Sequence, residues 1–218
     1  MLMTEPIKRN TSQPSKRYRW VIGAAVIVLV GAMALDTKIV VIGSQNDVRE
    51  QKFSPEAFAE KEYPAIQESV EKRAVDAVEL AKAIQEDKQA AGDKYGVAAS
   101  IGPVIPVSFT GVVTERKSNY SMVAIEGLPP EFKVRVQTGP ALNGTDLRDS
   151  TGTIQFGQFT NQIEFQNVGS AINNQVKKVV LADIDPNALT GKTISVVGVF
   201  KLVNPKSWIV TPVRLEVK

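Results

Sequence analysis

From residue 102 to the end, apolar and polar positions alternate. VSFTGVVTE, YSMVAIEG, EFKVRVQTG, KTISVVGVF and SWIVTPVRLEV are β-branched runs of period two, bounded by Gly, Pro and Asn. Each predicts a strand with one buried face. Between the third and fourth runs lie two shorter alternating stretches, TIQFGQ and NQIEFQ, read as further short strands. Val168, Ile172, Val176 and Val179 to Val180 then recur at helical spacing. Strand–strand–strand–helix–strand–strand is the order of a five-stranded Greek-key barrel of the OB type. Gly111 and Gly198 fall inside strand runs, where such a barrel needs bulges or bends.

Upstream the period lengthens. Ser54-Pro55-Glu56 is a helix start, with Ser as N-cap, Pro at the first helical position and an acid in the first turn. Pro64 is expected to end that helix and open a second. Ile66, Val70, Ala74, Ala77, Ala81 and Ile84 then recur every three or four residues, with Glu68, Glu71, Lys72, Glu79 and Lys82 off the stripe. This predicts one amphipathic helix over 64–91, closed by Gly92. A narrow Ala-rich stripe presses closely on another surface: its own domain in the simpler reading, a partner protein in the alternative.

Near the N-terminus, VIGAAVIVLVGAMA carries no charge and follows the basic SKRYRW. That is the pattern of a membrane anchor or an export signal. The positive-inside rule keeps Lys16, Arg17 and Arg19 in the cytoplasm and sends the remainder out. From Trp20 to Leu35 a helix rises only about 24 Å, short of the roughly 30 Å hydrocarbon core. Ala32-Met33-Ala34 fits a cleavage site. Against cleavage, Tyr18 and Trp20 suit an interfacial belt, and Lys38 could snorkel from a helix continuing through IVVIG. A retained anchor is the preferred reading. Cleavage after Ala34 and a buried helix of a soluble protein are the alternatives.

The expected class is therefore α+β. A basic cytoplasmic segment covers 1–20 and a signal-anchor 21–43. A linker with amphipathic helices covers 44–101, and an OB-like barrel with one inserted helix covers 102–218.

Charge changes the picture once the chain is divided at the apolar run. Lys8, Arg9, Lys16, Arg17 and Arg19 stand against Glu5 before residue 21, which leaves 21 basic and 22 acidic residues in the rest. A nucleic-acid binder carries its positive charge on the folded domain, so nucleic acid is not an expected partner. The chain has no His and no Cys. The commonest general base, thiol nucleophiles, disulfides and any metal site built on imidazole or thiolate are absent with them. A carboxylate-only metal site, a Ser–Lys pair or a carboxylate dyad remains open. No cofactor and no metal is expected.

The run VRVQTGPALNGTDLRDSTGTIQFGQFTNQIEFQNVGSAINNQV, residues 134–176, resembles the domain of unknown function 2291 family of predicted periplasmic lipoproteins. AAGDKYG, PVSFTGVVTE and GKTISVVGVFKLVNPKSWIVTPVRLEV match it too. The resemblance implies an exported, membrane-associated protein, often encoded beside sugar ABC transporter genes, with no established activity. One departure stands out: a lipoprotein needs a Cys after its apolar run, and MALDTK stands there instead. Any attachment must come from the apolar segment itself.

Two stretches carry candidate chemistry. In residues 157–175, GQFTNQIEFQNVGSAINNQ, eight side chains are Asn or Gln. Amides suit both sugar hydroxyls and unpaired backbone groups. Asn161 and Gln162 are read as completing backbone bonding at a turn, with ligand binding as the alternative. Asn173, Asn174 and Gln175 are read as a solvated helix face. In GPALNGTDLRDSTG, Asn143-Gly144 marks a turn, and Asp146, Arg148 and Asp149 bring opposite charges together. A structural ion pair is the simpler reading. An Arg148 facing a pocket beside Asn161 and Gln162 would instead orient a carboxylate or a polyol. Asp146 and Asp149 as an acid–base pair is the third. Trp208, Phe156, Phe159 and Phe165 are read as core in preference to a stacking platform.

The leading expectation is a non-enzymatic, membrane-tethered periplasmic binding or accessory module. Its expected partners are the inner membrane, an envelope or ABC transporter protein, and a small polar ligand such as a sugar. A structural envelope protein acting through helix 64–91 and a carboxylate-based hydrolase are the alternatives.

Overall fold

A computed structural model describes residues 16–36 and 53–218. They belong to two separate units, divided between Lys52 and Phe53. The continuation of the apolar helix through IVVIG and the linker up to Lys52 lie outside the described residues.

In the first unit, helix α1 covers Lys16–Asp36. Its 21 residues rise about 31 Å. By length and composition this helix can cross a bilayer. It extends further toward the N-terminus than the apolar run, taking in Lys16, Arg17 and Arg19.

The second unit begins with helices. α2 spans Pro55–Arg73, and the Ser54 hydroxyl accepts the Ala57 N–H at its start. Pro64 lies inside α2 and does not end it. The reason is the face it occupies. Ala59, Tyr63, Ile66 and Val70 are buried on one side, while Pro64 is exposed on the other. There the carbonyl that loses its partner meets water, and packing on both sides of the proline holds the helix.

The expected single helix over 64–91 is likewise corrected. The chain leaves α2 at Ala74 in an extended conformation. A two-residue strand β1, Val75–Asp76, pairs in parallel with Val107–Ser108. Asp76 then caps α3, Ala77–Glu86, by accepting from the N–H groups of Val78 and Glu79. Asp87 caps α4, Lys88–Tyr95, in the same way. The apolar stripe is covered by its own domain: Ile66, Val70, Ala77, Ala81 and Ile84 are all buried. A partner-binding role for that stripe loses its basis. Helices α2–α4 share one core with the barrel instead of forming a separate 44–101 segment.

The five predicted strands form. They are β2 (Val104–Lys117), β3 (Tyr120–Ile125), β4 (Lys133–Gln137), β5 (Thr193–Lys201) and β6 (Ser207–Val217). The pairings run β2–β3–β4–β6–β5 and return to β2, with β4–β6 parallel and the rest antiparallel. That is the circuit of an OB barrel. β2 belongs to both ends of it: residues 104–112 pair with β5, and residues 111–117 pair with β3. Gly111 sits where the two ladders overlap. A Cβ there would lie 2.5 Å from the Ala124 carbonyl oxygen. At Gly198, beside the register shift of β5 on β6, it would lie 2.5 Å from the Thr211 carbonyl oxygen. Both glycines permit close backbone approach at the bends.

Between β4 and β5 run a short helix α5, Asp146–Asp149, and a long helix α6, Gln162–Val179. Val168, Ile172 and Val176 of α6 are buried, and α6 packs against α2. TIQFGQ and NQIEFQ are not strands. Phe156–Gln158 is a single 3₁₀ turn, and NQIEFQ is the beginning of α6. Trp208 is fully buried and stacks on Phe200 with ring centroids 4.6 Å apart, so it is core.

Candidate functional site

Three of the eight amides, Gln158, Asn161 and Asn173, bond to backbone groups. Asn161 is the N-cap of α6: its Oδ1 accepts the Glu164 N–H at 2.9 Å, and the Glu164 carboxylate accepts the Thr160 N–H at 3.0 Å. Gln162 does not share that role: it is exposed on the first turn of the helix, and its side chain bonds no backbone group among the described residues. Gln158 closes the preceding turn by accepting the Gln155 N–H and donating to the Thr153 carbonyl. The expected solvated face at 173–175 is corrected, because Asn173 and Gln175 are buried and only Asn174 is exposed. Asn173 Nδ2 donates to the Gly144 carbonyl at 2.9 Å, tying α6 to the loop before α5.

Arg148 and Asp149 make the expected ion pair, and it is buried. Arg148 Nε and Nη2 both lie 2.8 Å from Asp149 Oδ1. Arg148 Nη1 donates to the Phe165 carbonyl at 3.0 Å, and the guanidinium carbon stands 3.5 Å from the centroid of the Phe165 ring. Asp149 Oδ2 accepts from the Thr145 hydroxyl at 2.8 Å. Asp146 turns elsewhere. Its Oδ1 lies 3.3 Å from Lys201 Nζ, which also approaches Asp149 Oδ2 at 3.8 Å. Burial raises the pKa of Asp146 above the ordinary carboxylate value, and Lys201 opposes that rise without cancelling it.

The structure brings Asn143 and Asp146 together with residues that sequence reasoning missed. A groove of about 460 Å³ runs along one end of the barrel. Tyr120, Arg135 and Gln137 line it from β3 and β4, and Lys201 and Ser207 line it from β5 and β6. The loop 138–145 and the turn at 202–206 form its rims. Gln137 builds the first rim. Its buried amide behaves as a peptide group, accepting the Asn143 N–H at 2.7 Å and donating to the Asn143 carbonyl at 2.9 Å and to Thr211 Oγ1 at 2.7 Å. The Asn143 side-chain amide makes no protein hydrogen bond among the described residues, and it lines the groove.

Arg135 Nη2 donates to Ser207 Oγ at 2.8 Å, and its guanidinium lies 6.0 Å from the Tyr120 ring centroid. Its Nε is buried with no protein acceptor. Among the described residues no carboxylate pairs with Arg135. The groove thus holds one paired cation, Lys201, and one without an acidic partner. Arg148, Asp149, Asn161 and Gln162 do not line the groove, and Asp149 touches it only through Lys201. No sequence pattern marked Tyr120, Arg135 or Lys201. Each sits in an alternating strand run, where a polar residue reads as solvent-facing.

Two comparisons place the chain. The family described as "Predicted periplasmic lipoprotein (DUF2291)" matches residues 24–216. Among solved structures, an OB-fold protein from Thermotoga maritima is similar with a TM-score of 0.62 and 20% identity, over 77% of this chain and 100% of that one. At that identity the likeness speaks for the fold alone. No curated protein matches.

Proposed function

Because the chain belongs to the predicted periplasmic lipoprotein family, and so to the cell envelope, we propose that it is a non-enzymatic binding module. Helix α1 holds it in the inner membrane, and the barrel faces the periplasm. With no cysteine to acylate, α1 is the helix among the described residues long and apolar enough to anchor the chain. The ligand is small and polar, of the size and character of a sugar, and it lies in the groove over β3, β4 and β6. Service to a sugar ABC transporter is the setting this reading favours.

The observation that carries the reading is the groove itself. About 460 Å³ is the size of a small-ligand site. An aromatic ring, a guanidinium, an amide and an ammonium–carboxylate pair converge on it. Tyr120 offers a face for the apolar side of a pyranose, and the polar groups offer directional partners for its hydroxyls. The same geometry speaks against the hydrolase reading. Asp149 is committed to Arg148, Thr145 and Lys201, and Asp146 to Lys201. Neither carboxylate is left to activate water.

The test uses the full-length chain in detergent, screened by thermal shift against neutral and acidic monosaccharides. Wild type gains melting temperature with ligand concentration as binding to the native state requires. Tyr120→Ala loses that gain while keeping the ligand-free melting temperature within a few degrees. A wild type indifferent to the whole panel overturns the reading. For topology, alkaline phosphatase fused after Lys218 is active. A silent fusion beside a bright cytoplasmic reporter at the same position refutes export.

A further inference from the structure

We propose that the groove selects a ligand bearing a single carboxylate, such as a uronic acid, and that Arg135 is the seat of that carboxylate. The inference rests on the groove being a ligand site and adds the charge class.

The argument is one of charge and commitment. Three charged side chains line the groove: Arg135, Lys201 and Asp146. Lys201 and Asp146 neutralise each other at 3.3 Å. Nearby, Lys206 and Glu131 pair at 3.6 Å, and Asp149 is held by Arg148. Arg135 remains. One terminal nitrogen is given to the neutral Ser207 hydroxyl, the other has no protein partner among the described residues, and Nε is buried without an acceptor. A half-buried guanidinium whose terminal nitrogens have only one neutral partner gains most from a carboxylate, which takes two parallel N–H bonds from Nη1 and Nη2, the buried Nε lying out of a ligand's reach. The Tyr120 ring beside it fits the sugar ring to which the carboxylate would be attached.

Asp146 sets the upper limit on charge. A phosphate dianion would bring a second negative charge into a groove whose carboxylate is already balanced by a single lysine. A monoanion matches the one uncompensated cation. Asp146 also restrains Lys201. Releasing that lysine would add a second cation to the groove.

The experiment is isothermal titration of the full-length chain in detergent with two matched sets: glucose, glucuronate and glucose 6-phosphate, and galactose, galacturonate and galactose 6-phosphate. Within a set the compounds differ only at C6. The expected order is uronate tightest. Arg135→Gln weakens uronate binding by about ten- to a hundredfold, the loss of a charge-assisted hydrogen bond, and weakens the neutral sugar several-fold less, since a hydroxyl brings no charge to the guanidinium. Asp146→Asn, which leaves Lys201 facing Asp149 at 3.8 Å alone, tightens uronate binding relative to the neutral sugar. Neutral sugars binding as tightly as uronates, with both variants silent, overturns the charge class and leaves the groove reading standing. Phosphates binding tightest also overturns it. No binding in either set, with or without Asp146→Asn, overturns both.

Discussion

Replacing Arg148 with Ala tests whether the Arg148–Asp149 pair is structural. The guanidinium is buried, makes two contacts of 2.8 Å to Asp149 Oδ1 and one of 3.0 Å to the Phe165 carbonyl, and stacks on the Phe165 ring. Alanine removes all of these and leaves Asp149, itself mostly buried, with the Thr145 hydroxyl and Lys201 at 3.8 Å. Stranding one partner of a buried pair costs about 3–5 kcal/mol. The residual attraction of Lys201 pulls the expectation to the lower end, roughly 3 kcal/mol. For a domain of this size that is a fall of about 6–12 °C in melting temperature. The assay is urea unfolding of the full-length chain in detergent, followed by the fluorescence of buried Trp208 in a Trp20→Phe background. Adding Asp149→Ala to Arg148→Ala recovers part of the loss, because no carboxylate then remains uncompensated. A single-variant loss below about 1 kcal/mol, the range of exposed pairs, would refute the reasoning.

Three further outcomes follow from the same packing. Gly198→Ala is strongly destabilising, by about 3 kcal/mol or more, since its Cβ would meet the Thr211 carbonyl oxygen, Val210 Cγ1 and Pro212 Cα, two of them backbone atoms that cannot swing aside. Chemical denaturation measures it, and a wild-type midpoint would show that the bend does not need glycine. Asn161→Ala costs about 1 kcal/mol, the value of an exposed N-cap, seen as a drop of a few degrees in calorimetry with no change in ligand-induced shift. A larger loss would mean that Asn161 does more than cap α6. The pH dependence isolates Asp146: its folded pKa is raised above 3.8, so just above that value the folded state binds more protons than the unfolded one. Its contribution to stability is therefore greatest at low pH and declines as pH rises through the folded pKa. Wild type should lose stability relative to Asp146→Asn as pH rises above 3.8; the opposite slope would mean that Lys201 outweighs burial.

The barrel was legible because all five strands carry period-two runs, and because Gly111 and Gly198 interrupt those runs where the bends occur. The helical region was legible in kind but not in punctuation. Asp76 stands three residues before Glu79, and Asp87 opens the next helix; both are capping signals that an unbroken Ala-rich stripe obscured. Pro64 misled in the other direction, since a proline's effect depends on which face it takes. NQIEFQ alternates like a strand, yet Asn161 and Glu164 have the spacing of a capping box, and Ile163 is left exposed on the helix they start. The groove was hidden because its members come from β3, β4, β5, β6 and a loop. Asn143 and Asp146 were found through turn and charge patterns in their own loop, whereas Tyr120, Arg135 and Lys201 meet them only through strand register.

The double membership of β2 also fixes an order of events at the membrane. Val104 pairs with Lys201 and Val112 with Thr193, so the first barrel strand waits for the fourth before one of its edges is satisfied. An exported chain emerges from its N-terminal side, and α2 and α3 therefore arrive with Ile66, Val70 and Leu80 uncovered long before the barrel they pack on can close. Long-range pairing of this kind is slow and leaves apolar surface open to aggregation. A translocation intermediate halted before Thr193 should be protease-sensitive throughout 53–192, and one extended to Lys218 resistant. The last strands thus act as the latch of the domain.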